Sequence, residues 1–378
     1  MKRIASILTL FAFLFAAVTA SAGPIPKAPS ISGESYFLMD ARTGQVLAAQ
    51  KPDQRMAPAS LTKLMTAYVV YGALEDGAIS LQDTVEISEA AWRMGGSQMF
   101  LEVGTTATVD ELLDGLVIQS GNDAAVALAE HTAGSEAAFV EQMNHHADRL
   151  GLENTHFMNP EGLPHEDHYS TAHDLALIAQ AIIREFPKHY QRYSQREFTY
   201  NNIRQYNRND LLWSDPSVDG LKTGYTEEAG YCLVTSAKRD GMRLISAVLG
   251  APSEDQRVSD SRSLLSWGFR FFETHQLYAA GDVLKTTRIW KGARDQVDLG
   301  TESDVLVTIP RGEYDNLKAE VSMPRRLEAP VQEARRVGTV NVTLDGEAVA
   351  EVPLVTLQSI ARGSFFQRMT DTVLQWFE

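Results

Sequence analysis

Ala57-Pro58-Ala59-Ser60-Leu61-Thr62-Lys63-Leu64-Met65-Thr66-Ala67-Tyr68-Val69-Val70 places a serine three residues before a lysine at the start of an apolar run. Pro58 suits a first helical turn, and Leu61, Leu64, Met65, Tyr68 and Val69 recur at helical spacing, which predicts a helix reaching Gly72. Residues three apart share one helix face, so Ser60 and Lys63 point the same way. The apolar surroundings predict a buried helix, and burial favours the neutral form of a lysine. A neutral amine can take the proton of a serine hydroxyl, which a solvated ammonium cannot do.

Two further peptides follow in order. Ser120-Gly121-Asn122 interrupts two apolar helical stretches, Val109 to Gln119 and Asp123 to Thr132. A break of that kind exposes a hydroxyl and an amide able to relay a proton and to hold a substrate backbone. Lys222-Thr223-Gly224 leads into two β-like runs, Gly230 to Lys238 and Met242 to Gly250, about the tight Asp240-Gly241 turn. On an edge strand it would set a cation, a hydroxyl and a position without a side chain along a groove where a peptide adds as a further strand. Gly220-Leu221-Lys222-Thr223 lacks the frame of a phosphate loop. Any one of these peptides is weak evidence, but together and in this order they describe a serine acyl-transfer site that uses lysines.

In these motifs the chain resembles the low-molecular-mass penicillin-binding proteins of the D-alanyl-D-alanine carboxypeptidase type. The resemblance extends to Asp219-Gly220-Leu221, Ala229-Gly230-Tyr231 and Ser266-Trp267-Gly268-Phe269-Arg270-Phe271-Phe272-Glu273. Gly121 stands where class A β-lactamases carry aspartate, and Tyr225 stands where several relatives have histidine. The resemblance implies an α+β penicillin-recognising (β-lactamase-like) serine transferase fold. It implies Ser60 as nucleophile, Lys63 as its base and Ser120 as a proton relay. Asn122, Lys222, Thr223, Gly224, Tyr225 and Arg257 would then bind substrate, with the Ser60 and Tyr225 N–H groups around the oxyanion and Thr223 and Arg257 at the terminal carboxylate. As a lone arginine, Arg257 reads equally well as a surface residue. The implied partners are the D-alanyl-D-alanine end of a peptidoglycan stem peptide and β-lactams, with no cofactor.

Lys2 and Arg3 precede an uncharged run from Ile4 to Val18, and Ala20-Ser21-Ala22 offers a small-residue cleavage site, the pattern of a signal peptide over 1–22. The formal net charge is −15 and becomes more negative without Lys2 and Arg3, which excludes nucleic acid as a natural partner. A hydrophobic content of 44% can fill large cores, and a single cysteine, Cys232, can form no internal disulfide and reads as a buried strand thiol. His165-Glu166-Asp167-His168 and His145-His146 lack the helical spacing of a zinc motif and read as a surface loop or helix.

Tyr36 to Asp40 and Gln45 to Ala49 predict an opening hairpin in one antiparallel sheet with the later strands, separated from them by helices up to about Arg184. This gives a catalytic domain over 23–274. Strand-like runs at Thr287 to Trp290, Val305 to Ile309, Leu317 to Met323, Val337 to Leu344 and Ala348 to Leu354 predict a small all-β domain over 275–362. Over 363–378, Phe365, Phe366, Met369, Val373, Trp376 and Phe377 share one helical face, which predicts an amphipathic helix lying in a membrane interface; the resemblance implies that it is a C-terminal anchor on the outer face of the inner membrane of an exported, periplasmic protein. Such a helix, about 24 Å long, is too short to span a bilayer; docking on the β domain is the alternative.

Two other functions compete. A β-lactamase needs a deacylating base, yet no Glu-x-x-Leu-Asn loop lies between Asn122 and Lys222; the nearest candidate, Glu161 in Asn159-Pro160-Glu161-Gly162, reads as a solvated turn. A non-catalytic wall-binding scaffold has no need of an intact Ser60, Lys63, Ser120 and Lys222.

Overall fold

The computed structural model describes residues 25–376, so the leader read over 1–22 lies outside the described residues. The central sheet has five antiparallel strands in the order β2-β1-β5-β4-β3: β1 (Ser35–Asp40), β2 (Val46–Gln50), β3 (Val218–Thr226), β4 (Gly230–Arg239) and β5 (Met242–Ala251). β1 is buried along its whole length because both sheet faces are covered. Phe37 and Met39 face a core built on α1 (Lys63–Glu75), α2 (Asn122–Ala133), α3 (Glu136–Arg149) and α4 (Ala172–Glu185). Tyr36 and Leu38 face the opposite way, onto Leu264, Leu265 and Phe269 of α5 (Glu254–Phe271). The period-2 alternation of a strand thus divides β1 between two apolar layers.

β3 is the outer strand of the sheet, and it carries Lys222-Thr223-Gly224. Its far edge pairs with no strand among the described residues, as peptide addition requires. Gly224 lets it lie against the turn that bears Ser60: a Cβ there would stand 3.1 Å from the Pro58 carbonyl and 3.3 Å from the Leu61 nitrogen. This contact joins the sheet edge to the start of α1.

α5 runs directly into β6 (Phe272–Tyr278), which pairs with β9 (Val305–Pro310) in the second unit. The remaining strands there are β7 (Lys285–Trp290), β8 (Gln296–Gly300), β10 (Leu317–Ser322), β11 (Leu327–Glu328), β12 (Arg336–Leu344) and β13 (Glu347–Thr356). They form a six-stranded sheet in the order β10-β12-β13-β8-β7-β11, in which only β7 and β11 pair in parallel. The unit is all-β, as its short apolar runs predict, with β6, β8 and β11 in addition to the strands read from sequence. Thr43 and Thr308 meet at 2.8 Å and Thr274 donates to Asp40 at 2.6 Å, tying this unit to the hairpin of the first.

The tail forms a shorter helix than expected, α6 (Phe365–Leu374), capped by Ser364 and Gln367, each side chain bonding the other's backbone. Asp371 accepts from Arg288 at 3.1 Å and Gln375 donates to Glu328 at 3.1 Å, so the polar face is turned to the β unit. The apolar face is left outward, with Phe366 75% and Trp376 83% exposed.

Candidate active site

Three chain segments bring the predicted residues together. Ser60 lies in a short 3-10 turn, Ala59–Thr62, that feeds α1, and Lys63 is the first residue of α1. Ala59 enters this turn with a left-handed backbone, φ +47°. Lys63 is 1% exposed, with its Nζ 3.0 Å from Ser60 Oγ, 2.7 Å from Asn122 Oδ1 and 2.6 Å from the Glu161 carbonyl. Burial is the largest influence on Lys63 and lowers its proton affinity well below that of a free lysine, opposed by the carboxyls of Glu161 and Asp123.

The second wall is the break between helices. The helix before it widens into a π turn over Gly115–Gln119, and Ser120 ends that turn in the left-handed region at φ +67°. Asn122 then opens α2, its Nδ2 donating to the Gly95 carbonyl at 2.7 Å while its Oδ1 faces Lys63. Gly121 has a steric reason: a Cβ would come within 2.7 Å of Asp123 Oδ1 and 3.2 Å of the Met99 nitrogen. Asp123 itself accepts from the Met99 and Leu101 N–H groups, clasping the 95–101 segment onto the start of α2.

β3 closes the site. Lys222 is 3% exposed, its Nζ donating to the Thr223 carbonyl at 3.2 Å, and burial with the nearby Lys63, Arg208 and Arg257 charges holds its proton affinity well below the usual lysine range. Ser60, Ser120, Thr223, Gly224, Tyr225 and Arg257 all line one cavity of about 210 Å³. Larger cavities lie beneath α6 and at the junction of the two units, and neither is lined by Ser60, Lys63, Ser120 or Lys222. Tyr225 is half-exposed and packs on Tyr231, ring centres 4.4 Å apart.

A profile of the D-alanyl-D-alanine carboxypeptidase family matches residues 22–253, and one of the C-terminal domain of penicillin-binding protein 5 matches residues 272–362. The chain belongs to the D-alanyl-D-alanine carboxypeptidase family. It is 46% identical over 361 residues to D-alanyl-D-alanine carboxypeptidase DacA of Escherichia coli (strain K12), covering 93% of this chain and 90% of the relative. Penicillin-binding protein 5 from Haemophilus influenzae superposes with a TM-score of 0.86 at 43% identity, covering 89% of this chain and 100% of that one. The ampicillin-bound form of penicillin-binding protein D2 from Listeria monocytogenes gives a TM-score of 0.60 at 32% identity over 65% of this chain and 100% of that one. The penicillin-binding fold is therefore shared across the family.

Within this family member, three sequence readings need correction. Arg257 is not a surface residue: it is 3% exposed in the first turn of α5, paired with Glu254 and 5.7 Å from the Tyr231 ring centre. Ser253 caps that turn, its Oγ accepting from the Gln256 N–H, and the guanidinium lines the cavity. Glu161 is not a solvated turn either. It is 4% exposed, in a loop clasped by Asn159 Oδ1, which accepts from the Gly162 and Leu163 nitrogens, and by Thr66, which donates to the Pro160 carbonyl. A Cβ on Gly162 would stand 1.9 Å from the Ala59 carbonyl, so the loop presses on the backbone next to Ser60.

His168, read as part of a surface loop or helix, is also buried. It meets Thr62 Oγ1 at 2.8 Å, and burial brings its proton affinity down to about 4. Cys232 is fully buried and its thiol is pushed up to about 11 by burial, as an inert thiol should be. Sequence reasoning missed Ser97, Arg208 and Tyr231 in the cavity lining. Arg208 donates to the Gln119 carbonyl at 3.2 Å, beside Ser120, a contact between segments far apart in the chain that no local motif announces.

Proposed function

We propose that this protein is a serine D-alanyl-D-alanine carboxypeptidase that removes the terminal D-alanine from peptidoglycan stem pentapeptides through an acyl-enzyme on Ser60, and that β-lactams acylate the same serine. The observation that carries this reading is the setting of Lys63. Its two shortest contacts, to the Asn122 Oδ1 and the Glu161 carbonyl, are with fixed acceptors that take both hydrogens of a neutral amine. The remaining lone pair is then directed at Ser60 Oγ, 3.0 Å away. The amine accepts the serine proton as Oγ attacks the penultimate carbonyl carbon.

The Ser60 and Tyr225 N–H groups hold the oxyanion. When the C–N bond breaks, the departing amine is protonated through Ser120 with Lys222 behind it, and D-alanine leaves. The substrate extends along the free edge of β3, with Asn122 on its backbone amide and Thr223 and Arg257 on its carboxylate. Water then hydrolyses the ester; a ring-opened β-lactam keeps its leaving group tethered and hinders that water.

The purified protein should release D-alanine from a pentapeptide ending in D-alanyl-D-alanine and take up a fluorescent penicillin covalently. A folded protein that does neither would end this reading. Arg257→Ala supplies the specificity arm. A charge-assisted hydrogen bond is commonly worth about 1.5–3 kcal/mol, so kcat/KM for the peptide should fall roughly 10- to 150-fold in a protein of normal thermal stability. An unchanged kcat/KM would remove Arg257 from the carboxylate site.

Among the described residues no helix is long and apolar enough to cross a membrane. The proposed location is the periplasmic face of the inner membrane, reached after export and held by 363–378. What supports it is α6, whose polar side is occupied by Arg288 and Glu328 while Phe365, Phe366, Met369, Val373 and Trp376 face outward. Truncation after Arg362 should give a soluble protein with unchanged activity on small peptides. If the truncated form still sediments with membranes, or the full-length form never does, the anchor assignment fails.

A further inference from the structure

The mechanism uses the backbone carbonyl of Glu161 and leaves its side chain without a task. That side chain is buried, and its Oε2 has no hydrogen-bond partner among the described residues. A buried carboxyl oxygen without a partner is costly, and nothing in the loop's own clasp requires it. Asn159, Thr66 and Gly162 fix the loop through other atoms. The residue's own carbonyl is 2.6 Å from Lys63 Nζ, and its carboxyl is the strongest charge acting on that lysine.

We propose that Glu161 is a positioning residue for the proton of Lys63: as a carboxylate it strengthens the lysine as a base, so that the Ser60 proton is held on Nζ while the acyl bond forms. This rests on the reading of Ser60 and Lys63 as nucleophile and base. Protons balance without Glu161 exchanging any with substrate. The Ser60 proton passes to Lys63 as the Oγ–C bond forms, and the equivalent of that proton is delivered through Ser120 to the amine as the C–N bond breaks.

The charges facing the pair are few. Lys63 is faced by Glu161 from the loop, Asp123 from α2, Arg208 beside the helix break and Lys222 from β3; Glu161 is faced by Lys63 and by Glu136 of α3. Asp123 already accepts three backbone N–H bonds, from Met99, Leu101 and Ala124, and Arg208 works against a proton on Lys63 as Lys63 does against one on Lys222. Glu161 is the counter-charge with a free oxygen. Burial, with Glu136 adding to it, raises the Glu161 carboxyl while burial lowers Lys63, which brings an acid and a base of very different ordinary strength toward one range.

The test is Glu161→Gln, which keeps the shape and the backbone carbonyl that holds Lys63. Removing the anion makes Lys63 a weaker base. The acid limb of the pH profile for penicillin capture should therefore move down by on the order of one pH unit. The plateau rate should fall roughly three- to tenfold, because proton transfer to a weaker base is less driven. Glu161→Asp, which keeps the charge, should retain the wild-type limb.

Superposable profiles would overturn the proposal, and so would a uniform loss with no movement of the limb, since that is what a structural role predicts. A ¹³C NMR titration of protein labelled at lysine Cε, with Lys63 assigned through Lys63→Ala, reads the same shift without catalysis. If wild-type protein neither captures penicillin nor releases D-alanine, the carboxypeptidase reading falls while the titration still decides the role of Glu161.

Discussion

Ser60→Ala should leave a folded protein that releases no D-alanine and captures no penicillin, with peptide turnover down on the order of a thousandfold or more. The substitution removes one partly exposed hydroxyl from the 3-10 turn and leaves the apolar packing of α1 untouched, so thermal unfolding should move little. The residual site would still have its oxyanion donors and its edge strand. Binding should therefore persist where chemistry does not, and non-covalent retention of the peptide is the expected signature. Intact-mass spectrometry after incubation with penicillin checks the result. An adduct of wild-type extent, or one that maps to another peptide, would overturn the mechanism.

Lys63→Ala should fail for a different reason and with a different trace. The nucleophile remains but its base is gone, so the adduct should form slowly rather than not at all, with a loss of about 10²–10⁴. This variant should also be less stable than Ser60→Ala. Asn122 Oδ1 and the Glu161 carbonyl both lose the donor they share. Each buried acceptor left without a partner costs about 1–3 kcal/mol, unless water enters the space. Mass spectra over a time course, with chemical denaturation of both variants, separate the two cases. Equal stability of the two would mean that Lys63 does not hold the loop and the start of α2 in place.

The nucleophile and its base were legible because their relation is local: three residues on one helix face is a property of spacing alone. Lys222-Thr223-Gly224 was legible as an edge strand because the hairpin at Asp240-Gly241 leaves it no partner beyond β4. What stayed hidden depends on docking. Glu161 looks like a polar turn residue in its own segment, and only the pressing of Gly162 against the Ala59 carbonyl buries it. Arg257 and Arg208 are ordinary arginines until α5 and the segment before β3 fold over the cavity. The strand β8 was missed because only two of its residues, Val297 and Leu299, point into the core. β6 was missed because the run Phe269, Phe271, Phe272 passes unbroken from helix to strand.

Ala59, beside the nucleophile Ser60, and Ser120, in the cavity lining, are both left-handed and neither is glycine. Each holds a conformation that costs an ordinary residue about 1–2 kcal/mol, while glycine in its place would give up only about 0.5–1 kcal/mol in chain entropy. A selection for heat resistance that ignored catalysis would therefore drift toward glycine at both positions. It would relax the turn that aims the nucleophile, and at 120 it would delete the hydroxyl. Relaxing these two turns is a change that a working enzyme must refuse, and a thermostabilised derivative should be inspected there first.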